Sequence, residues 1–145
     1  MKSINVMKCK VVKEREFEYG SVSCASEAVG IFKKLMEDSA EEYFWMLCMD
    51  AKGKIVGAHE ISHGDLSSTP VHPREIFKRA ILNNAASIIV SHNHPSGDPT
   101  PSMEDISLTA RISEAGKLMG IKMLDHIIIG DGEYHSFAGS GMLND

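Results

Sequence analysis

No apolar run in this 145-residue sequence approaches the length needed to span a bilayer, so no transmembrane helix is expected. The stretch Met1 to Lys10 carries charges without an apolar core, which argues against a secretory signal peptide. Cysteine is scarce. Cys9, Cys24 and Cys48 are odd in number and lack paired spacing, which speaks against a disulfide framework and against a thiolate zinc cluster. Cys48 lies in an apolar run and reads as a buried thiol. This usage fits a reducing cytoplasm, the expected location. Positive charge is lacking too: the net charge is −5, so the basic face of a DNA-binding protein is not expected. Repeats and low-complexity tracts are absent. The remainder, 43% apolar and 24% charged, is that of a soluble globular protein. The length corresponds to one domain over residues 1–145.

What is present centres on the stretch from Ser87 to Met119. Ser87-Ile88-Ile89-Val90 reads as a buried strand. On an extended backbone, positions i and i+2 share a side, so His92 and His94 face one point. Pro95 biases the residue before it towards extended conformations. Pro99 and Pro101 stiffen the loop, and Ser102 reads as a helix N-cap with Asp105 at the third helical position. The helix predicted over Met103–Met119, closed by Gly120, carries Asp105, Leu108, Ile112, Ala115 and Met119 as one stripe. Asp105 heads that stripe and faces back towards the strand. Two imidazoles and a carboxylate form a three-ligand site with an open position, the layout of catalytic zinc. The same set also suits Fe(II). The plain alternative is a capping pair, Ser102 with Asp105, beside two polar loop histidines.

Elsewhere the patterning alternates helix and strand. Ile4 to Tyr19 reads as a strand or hairpin edge. Ser23 or Ser26 caps a helix to about Ser39, with Ala28, Ile31, Phe32, Leu35 and Met36 buried. Tyr43 to Met49 is an aromatic-rich strand, Asp50 to Gly53 a turn, Lys54 to Ile61 the return strand and Gly64 to Thr69 a loop. His72-Pro73 opens a helix that buries Ile76, Phe77, Ala80 and Ile81 and ends at Asn83-Asn84. Ile121 to Ile129 is a strand, turned by Gly130-Asp131-Gly132 into Glu133–Phe137, and the tail covers the surface. The class is α/β or α+β with a mixed sheet.

Hydrolysis at such a site needs a carboxylate outside the ligand set to move protons. Glu41, Glu42, Glu60 and Glu104 are available. Glu104 stands about 100° from Asp105 around its helix and faces solvent. His59-Glu60-Ile61-Ser62-His63 matches the His-Glu-x-x-His zinc motif, which works only on a helix. Its glycine-rich, β-branched surroundings favour a strand, on which the two imidazoles would stand about 13 Å apart.

The spacing His92-x-His94, seven residues, Ser102, two residues, Asp105 resembles the metal signature of the JAMM (MPN/JAB) metalloproteases. Val71-His72-Pro73-Arg74-Glu75, His94-Pro95-Ser96-Gly97-Asp98-Pro99 and Leu124-Asp125-His126 resemble the bacterial RadC-like branch, and the match runs from about Ser26 to Phe137. The resemblance implies a JAB/MPN fold, a curved mixed β-sheet flanked by helices and cytidine-deaminase-like in layout. It implies Zn²⁺ held by His92, His94 and Asp105, and hydrolysis of a peptide or isopeptide bond in a protein or peptide substrate by metal-activated water. By the same resemblance Glu42 takes the general-base role with Glu60 in reserve, Ser102 helps stabilise the oxyanion, and His126 supplies a structural hydrogen bond or one that supports a ligand. Two other functions remain: a non-catalytic MPN interaction domain and a RadC-type DNA-repair role. The latter is tied to an N-terminal helix-hairpin-helix segment, for which 145 residues leave no room.

Overall fold

In the computed structural model, residues 1–20, 22–36, 40–65 and 71–143 are described. Eight elements follow in chain order: α1 (Ala25–Leu35), β1 (Tyr43–Met49), β2 (Ile55–His63), α2 (Pro73–Leu82), β3 (Ser87–Asn93), α3 (Met103–Met119), β4 (Lys122–Ile129) and β5 (Tyr134–Ser136). One sheet runs β2-β1-β3-β4-β5. β1 is antiparallel to both β2 and β3, β4 is parallel to β3, and β5 is antiparallel to β4. The parallel pair is joined by α3, a β-α-β crossover. The expected α+β class, a mixed sheet flanked by helices, is what the chain forms.

Both faces of the sheet are covered, which explains why β1 and β3 read as continuous apolar runs. Phe44, Met46, Cys48, Ile88 and Val90 pack with Ile76, Phe77 and Ala80 of α2 and Ile112 of α3. The intervening Trp45, Leu47, Met49 and Ile89 pack with Ala28, Ile31 and Phe32 of α1. Alternation along β3 therefore sends His92 to the α2–α3 side, after Ile88 and Val90.

Local chemistry sets the boundaries. Asp50 accepts the backbone N–H groups of Lys52 and Lys54 at the β1–β2 turn, and Gly53 takes the positive φ there. His72 caps α2 by accepting the Arg74 N–H through Nδ1, with Pro73 at the first helical position. Gly120 ends α3 in the left-handed conformation.

Four expectations fail. Ile4 to Tyr19 forms no strand and is exposed apart from a partly buried Phe17. Its alternation is broken by Lys8, Lys10 and the charged run from Lys13 to Glu16, leaving too little apolar surface on either side to offset the entropy of ordering. α1 begins after Cys24, not after Ser23 or Ser26, with no side-chain cap; the Ser23 N–H and hydroxyl instead donate to Glu27. The expected helix end at Ser39 lies outside the described residues, as does most of the predicted Gly64–Thr69 loop. Ile81 and Met119 are 52% and 51% exposed, because each sits at the edge of its stripe in the last turn, beyond the reach of the sheet.

Candidate metal centre

β3 delivers His92 and, one residue past its end, His94 to the same side. The His94 N–H donates to the Ile129 carbonyl, so the backbone stays extended beyond the strand. The chain then turns through Gly97, at φ +89°, and re-enters at Ser102. A reciprocal capping box forms there: the Ser102 hydroxyl oxygen accepts the Asp105 N–H at 3.0 Å, and Asp105 Oδ2 accepts the Ser102 N–H at 2.9 Å. One carboxylate thus caps α3 and still faces His92 and His94.

His92 Nε2 and His94 Nε2 lie 3.1 Å apart. Asp105 Oδ1 is 3.2 Å from the first and Oδ2 is 3.1 Å from the second. A tetrahedral ion with ligands at 2.0–2.1 Å separates its donors by about 3.3 to 3.4 Å. Among the described residues, His92, His94 and Asp105 are the group of three whose donor atoms gather closely enough to hold a metal ion.

Hydrogen bonds on the far sides of the rings agree. The Asp98 carbonyl accepts from His94 Nδ1 at 2.8 Å, which places that ring's proton on Nδ1 and its Nε2 lone pair in the site. His94 Nε2 and the Asp105 carboxylate then face each other as two acceptors, an arrangement that calls for a cation or a proton between them. In keeping with this, the hydrogen bond to Asp105 holds the His94 imidazole above the usual histidine range, with the Asp98 carbonyl and the Glu42 charge adding to it against burial. Burial alone would raise the Asp105 carboxyl. The His92 and His94 hydrogen bonds and the Ser102 N–H overcome it and hold the group far below the usual carboxylate range.

His126 is fully buried and is no ligand. Its Nε2 lies 2.8 Å from His92 Nδ1, and its Nδ1 lies 2.6 Å from the Thr109 hydroxyl. Burial first, then the neighbouring His92, keep it well below the usual histidine range, so it is neutral. Its ring stacks on Phe137 at 4.9 Å, and His92 stacks on Phe44 at 5.8 Å.

The acids separate by face. Glu42 precedes β1, and alternation from Phe44 carries it to the side of His92 and His94. Its carboxylate is near enough to help hold a proton on His94. Asn93, between the two histidines, grips this segment: its Oδ1 accepts the Tyr43 N–H at 2.7 Å, and its amide donates to the Glu41 carbonyl at 2.9 Å. Glu60 pairs across from Trp45, whose ring packs on the α1 side. It therefore leaves the sheet on the face away from the ligands, 3.5 Å from His63 Nδ1. Glu104 is exposed. The His59–His63 motif lies on β2, as expected: His59 bonds the Asn83 amide oxygen, and His63 stacks on Tyr43. The buried Cys48 thiol is pushed up to about 12 by burial, in keeping with an inert packing group.

Thr109 and Asn93 were not singled out by sequence reasoning. Thr109 carried a faint signal, since it stands four residues after Asp105 on the same helical face. Asn93 carried none, because its role depends on a strand fifty residues earlier.

A RadC-like JAB domain profile matches residues 22–142. A UPF0758 protein of Pelobacter propionicus is 53% identical over 108 residues, covering 74% of this chain and 47% of that protein. A UPF0758 protein of Syntrophomonas wolfei is 54% identical over 102 residues, or 70% and 43% of the two chains. One from Desulforudis audaxviator is 47% identical over 122 residues, or 84% and 53%. The chain spans about half the length of the curated relatives it matches. With its mixed sheet, its His-His-Asp group and a match over residues 22–142, the chain belongs to the RadC-like JAB domain family.

Proposed function

We propose that this domain is a zinc-dependent hydrolase of the JAMM type that cleaves a peptide or isopeptide bond in a protein or peptide substrate. The observation that carries the reading is the convergence of His92, His94 and Asp105 on one point, with Glu42 on the same face. His92, His94 and Asp105 hold the ion. When bound, Zn²⁺ acidifies water to a pKa of about 7 and polarises a carbonyl. The chain's own groups do the rest. Glu42 accepts the proton of the attacking water and returns it to the leaving nitrogen. The Ser102 hydroxyl uses an oxygen lone pair for the Asp105 N–H and keeps its own proton, which it donates to the carbonyl oxygen as charge develops there. Three free thiols fit a reducing compartment such as the cytoplasm.

The test is turnover of a panel of peptide and isopeptide substrates by zinc-loaded wild type and Glu42→Gln. Glu42→Gln retains zinc and loses about 100-fold or more in rate, the range for general-base catalysis. Equal turnover by both proteins removes Glu42 from the mechanism, and a zinc-loaded wild type inert across the panel removes the hydrolase.

A further inference from the structure

We infer that Thr109 and His126 are positioning residues that select the one tautomer of His92 able to ligate the ion. The inference rests on the reading of His92 as a ligand and adds a second layer to it. The chain of contacts is Asp105 carbonyl, Thr109 hydroxyl, His126 ring and His92 ring, at 2.7, 2.6 and 2.8 Å in turn. Its direction can be read from one end. A carbonyl oxygen only accepts, so the Thr109 hydroxyl donates to Asp105, four residues back along α3. That uses the single proton of the hydroxyl, so Thr109 accepts from His126 Nδ1–H. With its proton on Nδ1, His126 presents a lone pair at Nε2 and accepts from His92 Nδ1–H. His92 is left with a bare Nε2 aimed at His94 and Asp105.

The opposite polarity is self-consistent but cannot bind metal. If Thr109 donated to His126, then His126 Nε2–H would donate to His92 Nδ1, and His92 would carry its proton on Nε2, inside the site. The Thr109 bond to the Asp105 carbonyl is what opposes this state. The ligand carboxylate and the tautomer of the ligand imidazole are therefore set by the same turn of α3. Solvent cannot substitute, since Thr109, His126 and His92 are 2%, 0% and 1% exposed. Stacking of His126 on Phe137 and of His92 on Phe44 keeps the rings from turning away.

The experiment measures zinc affinity by competition with a chromogenic chelator for wild type, Thr109→Val, Thr109→Ser and His92→Ala, with long-range ¹H–¹⁵N imidazole spectra of the wild type. Thr109→Val keeps the shape and loses the hydroxyl; it weakens zinc by about 10- to 100-fold, the usual cost of losing an outer-shell partner. Thr109→Ser restores affinity to within a few-fold. The spectra show His92 and His126 both protonated at Nδ1. Wild-type affinity in Thr109→Val, or a wild-type spectrum with His126 protonated at Nε2, overturns the relay; the spectrum alone decides should Thr109→Val not fold. Zinc retained by His92→Ala would instead defeat the metal centre itself, whereas zinc lost there and kept by Thr109→Val defeats the relay alone.

Discussion

Asn93 shows how one side chain can serve two strands. It stands between His92 and His94, yet its own hydrogen bonds go to the backbone on either side of Glu42. A carboxylate that moves protons must stay within hydrogen-bond reach of the reacting atoms, and a misplacement near 1 Å can cost up to about 100-fold. Asn93→Ala should therefore lower kcat by about 10- to 100-fold while zinc affinity changes little, as steady-state kinetics beside chelator competition will show. A parallel loss of zinc would assign Asn93 to the metal loop instead. The contrast with the ligands explains what could be read at this scale. His92, His94, Ser102 and Asp105 span fourteen residues, so strand period and helix capping alone bring them together. His126 lies thirty-four residues from the ring it contacts, and its partner Thr109 looks like any polar residue on a helix. Glu42 could be placed on the side of His92 and His94 only through the pairing of β1 with β3, and Glu60 on the other face only through the pairing of β2 with β1.

The elements themselves follow their local signals where those are strong. β1 and α3 occupy the residues expected, because a turn built on Asp50 and Gly53 closes one, and Ser102 and Gly120 bracket the other. The N-terminal strand fails because loose alternation without a buried partner is a weak signal. Less legible was how the loop between β3 and α3 is held. It docks on the turn after β4: the Asp131 N–H donates to the Gly97 carbonyl, and His94 is tied to Ile129. Gly130 lies beneath this contact, and a Cβ there would sit on the Gly97 carbonyl and 2.8 Å from Pro99 Cδ. Both neighbours are stiff, so the loop must lift, taking with it the Asp98 carbonyl that orients His94. Gly130→Ala should destabilise the fold by about 1 to 3 kcal/mol, the usual cost of overpacking, and weaken zinc measurably. Urea unfolding of the chelated protein reads the first effect and chelator competition the second. Unchanged affinity would mean that the loop is not needed to orient His94.

For the molecule as a whole, an ion held by His92, His94 and Asp105 would be a cross-link. Its ligands would come from β3, the loop after it and α3, and the crossover they would close is the one that makes β3 and β4 parallel. Which helix covers which face could not be read from periodicity, because β1 and β3 are apolar on both sides and fit either arrangement. Once folded, a ligand that binds only the native state stabilises it by about 2.7 kcal/mol at a hundred times its Kd. For a chain of this size each kcal/mol moves Tm by roughly 2 to 4 °C. Chelation at pH 8 should therefore lower Tm by roughly 5 to 10 °C in calorimetry. The pH dependence has a definite sign. In the metal-free protein Asp105 raises the His94 imidazole above its free value of 6.5. The folded state then binds a proton that the unfolded chain binds less tightly. That contribution is fully present below 6.5 and is lost as pH rises through the folded value. A proton thus replaces the ion more at pH 6 than at pH 8, and it also competes for the same lone pair. The Tm gap between zinc-loaded and chelated protein should be smaller at pH 6 than at pH 8; a gap that widens on acidification would mean that His94 does not carry the proton in the empty site.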